Sequence, residues 1–184
     1  YVVYTQYDKD ANFSKDNTFF IADSVLVISD DKKAGATYLD STTGDYIIDA
    51  YTSHMQARGY SRVANKNEAA YGLQISFVES TYYYTKSPSW WSDYPWYWTP
   101  SYWWPWYNGI WYHPYPFIYS YNAGSIVGEM VDITAITPTT ATSKPTIIWN
   151  SYITDIGDIT PKNESKVANA IGQAFTQSPY LKYQ

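Results

Sequence analysis

The sequence predicts an α+β domain with about five to seven mostly antiparallel strands, two helices packed on one face of the sheet, and a long aromatic-rich loop inserted between two strands. Three observations carry the prediction. Two segments, around 42–59 and 160–177, show one apolar stripe at helical spacing. Several shorter segments alternate apolar with polar residues, as strands buried on one face do. Between two of those alternating segments lies a stretch, residues 90–121, that fits neither period.

That stretch reads WWSDYPWYWTPSYWWPWYNGIWYHPYPFIYSY. It holds eight of the nine Trp of the chain, and more than half of its positions are aromatic. Pro95, Pro100, Pro105, Pro114 and Pro116 interrupt it. Each removes a backbone donor and clashes with a preceding turn, so no useful length of helix forms, and a central strand tolerates Pro no better. An irregular or polyproline-like path, or short edge strands, is what remains.

Taken in order, Tyr1 to Tyr7 reads as a strand from its β-branched and aromatic content. Asp8-Lys9-Asp10-Ala11-Asn12 matches the opening of a calcium loop. Phe13 and Phe19 then stand where the loop needs Gly and a bidentate Glu, so the segment reads as an Asp/Asn turn. Thr18 to Ile28 is a strand interrupted at Asp23-Ser24, and Asp30 to Gly35 a solvated loop. The first helix is expected to open at Thr42 and Asp45 as a capping box. It buries Ile47, Ile48, Tyr51 and Met55, and it ends at Arg58 with Gly59 just beyond. His54 lies beside that stripe without a ligand at i+4, which favours a packed or surface histidine over a metal ligand.

Tyr60 to Ala64 is a short strand and Asn65 to Glu68 a turn. From Gly72, the residues Leu73, Ile75 and Phe77 face one way and Gln74 and Ser76 the other, a half-buried strand running into the insert. Beyond it Ile126 to Ile136 alternates again, setting Val127 and Val131 against Gly128 and Met130. The insert is therefore an enlarged hairpin loop. Pro145 to Thr154 is a further strand. The last helix has Thr160 as cap, Pro161 at its first position, and Val167, Ile171, Phe175, Ala168 and Ala174 on its buried face. Ser178-Pro179 ends it. No repeat or second domain is visible, so one domain is expected over 1–184.

Composition narrows the function classes. A net charge of −5 and the lack of Lys or Arg in the insert argue against nucleic acid, whose phosphates call for clustered cations. With no Cys there is no disulfide, zinc-thiolate site or thiol nucleophile. No apolar run is long enough to span a membrane. The chain opens on the strand-like Tyr1-Val2-Val3-Tyr4, so a targeting segment is expected to have been removed upstream. Only His54 and His113 could serve a Ser or Thr nucleophile, and neither a G-x-S-x-G elbow nor an H-E-x-x-H pair occurs. The strand acids Glu79, Glu129 and Asp132 are expected to face solvent; a glycosidase pair drawn from them is the enzymatic alternative. No cofactor is called for.

Several short marks together carry a family likeness. They are Phe13-Ser14-Lys15 leading to Thr18-Phe19, Arg58-Gly59-Tyr60, Gly128-Glu129-Met130-Val131-Asp132-Ile133, Ile147-Ile148-Trp149, and Ala174-Phe175-Thr176-Gln177-Ser178-Pro179-Tyr180. In these the chain resembles an uncharacterised family of bacterial envelope lipoproteins, catalogued as a domain of unknown function, over most of its length outside the insert. The resemblance implies a lipidated Cys upstream and a periplasmic or surface location, with membrane contact only through that anchor. It implies no catalytic residues.

Three readings stand for the insert. It is structural, forming a second small core or a homo-oligomer contact. It is a binding platform, in which Trp96, Trp98, Trp103, Trp104, Trp106 and Trp111 offer flat faces and Asp93, Asn108 and His113 supply polar contacts to a glycan, peptidoglycan or an envelope protein. Or it rests at a membrane interface, where Trp and Tyr favour the headgroup layer. The reading adopted is a non-enzymatic envelope protein whose loop contacts a glycan or a protein partner.

Overall fold

A computed structural model of the chain describes residues 1–29, 37–80, 82–83, 120–134 and 146–183. Ten strands and two long helices are found among them: β1 (Val2–Tyr7), β2 (Thr18–Ile21), β3 (Leu26–Ile28), β4 (Thr37–Tyr38), α1 (Ser41–Ala57), β5 (Ser61–Arg62), β6 (Tyr71–Val78), β7 (Tyr82–Tyr83), β8 (Ser120–Tyr121), β9 (Ser125–Asp132), β10 (Thr146–Thr154) and α2 (Glu164–Thr176). The architecture is α+β, with a mixed, mostly antiparallel sheet. Its backbone runs β1-β10-β9-β6 in antiparallel order. On the far side of β6, β2 and β3 both pair parallel to it, end to end, with β5 beside β2 and β4 beside β3.

The interruption expected at Asp23-Ser24 is what splits that edge. Ile21 pairs with Leu73 and Leu26 with Ser76, so two residues of β2–β3 loop out before pairing resumes. Parallel pairing follows from the connection: the chain passes through α1 before returning as β6, and such a crossover brings strands back in the same direction.

Both helices pack on one face of the sheet. Ile47, Ile48, Tyr51 and Met55 of α1 and Val167, Ala170, Ile171, Ala174 and Phe175 of α2 share a core with Leu73, Ile75, Ile126, Met130, Trp149 and Ile153. Each fully buried large apolar side chain there stabilises the fold by about 1.5–3 kcal/mol relative to exposure. Two helix details differ from expectation. The N-cap of α1 is Asp40, whose Oδ1 accepts from the Thr43 amide at 3.0 Å, because the helix starts one residue before Thr42. In α2 Ala170, not Ala168, is fully buried, and Pro161 opens a 3-10 turn that leads into the helix.

The larger correction concerns the sheet. Gln74 and Ser76, expected to face solvent, are each 1% exposed, as is Glu129, and Asn150 and Thr154 are buried on the same face. The β6 strand is buried on both sides; alternation reports which way a residue points, not whether that side is covered. In β9 the core-facing set is Ile126, Gly128 and Met130, while Val127, Glu129 and Val131 turn to the second face. A bulge at Ile148 in β10 keeps both Ile148 and Trp149 in the helix-side core.

A corner of the molecule ties the C-terminal segment down. The Arg58 guanidinium donates to the carbonyls of Ser178 (2.9 Å), Leu181 (3.0 Å) and Phe175, and lies over the Phe175 ring. Gly59 has φ +90°, and a Cβ there would sit 2.9 Å from the Tyr183 carbonyl oxygen, so only Gly lets the chain pass. Trp149 Nε1 donates to Ser178 Oγ at 2.9 Å, Tyr180 stacks on Tyr7 at 3.7 Å, and the Tyr60 hydroxyl donates to the Phe13 carbonyl at 2.7 Å. Among the described residues no helix is long and apolar enough to cross a membrane.

Candidate functional site

Two places bear on function: the end of the sheet from which the insert departs, and a polar row across the sheet's second face. At the first, β6 and β9 are antiparallel neighbours, and β7 and β8 continue that pairing, Tyr82 opposite Tyr121 and Tyr83 opposite Ser120. The expected hairpin is present, and its stem pairs Tyr82–Tyr83 with Ser120–Tyr121 on either side of the segment that contains the insert. Just below, the Tyr152 hydroxyl accepts from the Asn122 amide at 3.0 Å, and the Gly124 amide donates to the Val78 carbonyl at 2.8 Å. The turn after β10 crosses beside it, with Asp155 (φ 58°) in the left-handed region that Asp tolerates better than most residues. Between these segments opens a cleft of about 480 Å³ lined by Phe77, Glu79, Ala123, Gly124, Gly157, Asp158 and Ile159.

The residues expected to form the binding platform are Asp93, Trp96, Trp98, Trp103, Trp104, Trp106, Asn108, Trp111 and His113. All nine lie outside the described residues.

On the second face, Asn150, Glu129 and Gln74 stand side by side on β10, β9 and β6. Gln74 Nε2 donates to one Glu129 oxygen at 3.3 Å and Asn150 Nδ2 to the other at 3.4 Å. Two neutral amides thus each donate to one oxygen of a carboxyl group withdrawn from water. Sequence reasoning placed Glu129 in solvent because strand acids usually are; the polar pair in register on either side of it was the signal that could have marked it.

Glu79 and Asp132 are too far apart to act as a glycosidase pair. Tyr71 pairs with Asp132 and Val78 with Ser125, so Glu79 and Asp132 lie at opposite ends of β6–β9. At ~3.4 Å per residue that separation is more than about 20 Å, against the 5–10 Å that general acid and base require. Among the described residues no group of three His, Asp or Glu side chains could hold a metal ion. His54 stacks on the Phe175 ring at 5.0 Å in the groove between the helices, and burial, then the Arg58 charge, lowers its pKa below the ordinary imidazole value. It packs against Phe175.

The family model described as Domain of unknown function (DUF4136) matches residues 3–180. The chain belongs to the DUF4136 family. A crystal structure of a DUF4136 family protein, BT2437 from Bacteroides thetaiotaomicron VPI-5482, is similar at 42% identity and a TM-score of 0.84, covering 100% of this chain and 98% of that one. A dodecamer of PelC from Paraburkholderia phytofirmans is a distant likeness, at 14% identity and a TM-score of 0.44 over 100% of this chain and 98% of that one. No curated protein matches the chain.

The marks that suggested this family from the sequence meet in space. Arg58-Gly59-Tyr60 closes on Phe175 to Tyr183, Trp149 reaches Ser178, and Tyr60 reaches Phe13. What the DUF4136 marks share in this chain is one packed corner and the Gly128–Glu129 centre of the sheet.

Proposed function

We propose that this DUF4136 protein is a non-enzymatic protein of the bacterial cell envelope, anchored by a lipid upstream of the chain, whose insert at 90–121 contacts a glycan or another envelope protein. The observation that supports it is the paired β7–β8 stem, which seats a segment of Trp, Tyr and Pro at the end of a well-packed sheet. Rigid aromatic rings at a fixed exit point suit recognition of sugar faces or extended chains at low entropic cost. The test is binding of peptidoglycan fragments and soluble glycan oligomers by the intact chain and by paired Trp96→Ala/Trp98→Ala and Trp103→Ala/Trp104→Ala variants. Loss of binding with unchanged thermal melting supports the reading; variants that bind as well as the parent overturn it.

A second reading rests on the buried second face. Val127, Val131 and Tyr152 are nearly inaccessible there, although both helices lie on the other side. Under it the aromatic side chains of the insert serve the fold as apolar cover. Acrylamide quenching separates the two, because eight of nine Trp report on the insert. Strong quenching with red-shifted emission favours display; weak quenching with blue-shifted emission favours cover.

A further inference from the structure

The two edges of the main sheet are treated differently. One ends in two-residue strands, β4 and β5, with an Arg62–Asp23 ion pair at 3.2 Å beside β5. Short strands and charges are the usual ways to prevent an edge from pairing with another chain. The other edge is β1, six residues long, with the sequence Val-Val-Tyr-Thr-Gln-Tyr: no charge, no Pro and no bulge in its pairing with β10. Of the five large apolar side chains that are well exposed among the described residues, three are Tyr1 (48%), Val2 (43%) and Tyr4 (51%).

The backbone geometry says which groups this edge offers. The Asp8 amide donates to the Ile148 carbonyl, so Asp8, Gln6, Tyr4 and Val2 turn their backbone groups toward β10. Val3, Thr5 and Tyr7 therefore direct theirs outward. On the second face the Tyr4 ring stacks on Tyr152, with centroids 5.9 Å apart and planes 17° apart, and its outer side is open enough to leave half the residue exposed.

We propose that β1 is the interface with a second copy of this chain, paired antiparallel about a two-fold axis at Tyr4. In that register Val3 and Thr5 of one copy exchange backbone hydrogen bonds with Thr5 and Val3 of the other. Val2 faces Gln6, and Tyr4 faces Tyr4. The stacked Tyr4–Tyr152 pairs of the two copies then form one continuous aromatic row across a joined sheet. A second copy fits better than a charged partner because Val2–Tyr7 is uncharged in a chain of net charge −5, so like charges are kept away from the contact. The contact is an isologous one, and it closes. One strand a side is small against the roughly 800 Å² per partner of a standard interface, so the association is concentration-dependent.

Sedimentation velocity of the chain over a concentration series is expected to show a dimer fraction that rises with concentration and is lost in Tyr4→Lys, which sets two ammonium groups against each other. Because the chain has no Cys, single-cysteine variants read the register directly. Tyr4→Cys places two sulfurs across the axis within disulfide reach, whereas Gln6→Cys sulfurs lie about 14 Å apart, four residues along the strand. Under mild oxidation Tyr4→Cys is expected to cross-link to dimer and Gln6→Cys to remain monomeric. A chain that stays monomeric throughout the series, including one that instead binds an uncharged extended peptide along β1, overturns the proposal. So does equal cross-linking of both variants, which would report random collision.

Discussion

Gly128 sets the distance between α1 and the sheet. A Cβ at this position would lie 2.6 Å from the Tyr51 hydroxyl and 2.7 Å from its ring, inside any real contact. The missing side chain lets Tyr51 lie flat on β9 and share a hydrogen bond of 2.9 Å with Ser151 Oγ, while burial pushes its phenol pKa well up. Gly128→Ala is therefore expected to cost about 3 kcal/mol by overpacking, measured by urea denaturation. Adding Tyr51→Leu should recover part of the loss, because the two sites share one space. His54 yields a pH dependence of known sign. Its folded pKa lies below the ordinary 6.5, so the unfolded chain binds the proton more readily. Its contribution is fully present above that value and is lost as pH falls from 6.5 through the lower folded value. Melting temperatures across that window should decline in the parent and decline less in His54→Phe. Separately, hydrogen bonds from Thr43 hold the Asp40 carboxyl below its usual 3.8, so the cap contributes to acid unfolding only at still lower pH.

At the scale of elements, most of what the sequence offered was legible because it was periodic. The α1 stripe of Ile47, Ile48, Tyr51 and Met55 and the α2 stripe of Val167, Ile171 and Phe175 need only a 3.6-residue period to be seen, and both are buried as expected. The insert between β6 and β9 was readable because Pro and Trp break any period. The cap of α1 was misplaced by two residues, since Asp40, Thr42 and Asp45 are all plausible caps until the first amide is placed. From the sequence Arg58 only marks the end of its own helix. Its guanidinium instead serves the other one, donating to three carbonyls at and just beyond the end of α2, a partnership 117 to 123 residues away in sequence. Arg58→Ala should cost about 2–3 kcal/mol through the loss of these charge-assisted bonds. Hydrogen exchange in residues 175–183 should accelerate more than elsewhere. Arg58→Lys should recover little, because a single ammonium cannot span three carbonyls.

For the whole molecule the decisive fact is that the sheet has no wet face near its centre. Alternation along β6 and β9 predicted sides correctly but could not tell that both are covered, and Gln74, Ser76 and Glu129 were assigned to water for that reason. A carboxylate held this way matters to the molecule as a unit. Glu129→Ala leaves two buried amides without their acceptor and a cavity besides, and is expected to lower stability by about 2–4 kcal/mol. Glu129→Gln, which keeps the shape and an acceptor oxygen, should lower it by less. Equal losses in urea midpoint for the two would show that volume alone, and not hydrogen bonding, governs the site. The proposed binding platform could not be read at this scale at all: its residues have no period from which a facing direction follows.

The pairing of β1 with β10 has a consequence for how a ribosome delivers this protein. Among the described residues β1 finds its neighbour within the chain's own sheet at Thr146–Thr154, and Arg58 waits for carbonyls at 175–181. Helix α1 can form early, but the face it covers is incomplete until Trp149 arrives. Contacts this far apart close slowly, and the loops they close are long. The nascent chain therefore stays open to handling by other factors until the segment through Leu181 has been made.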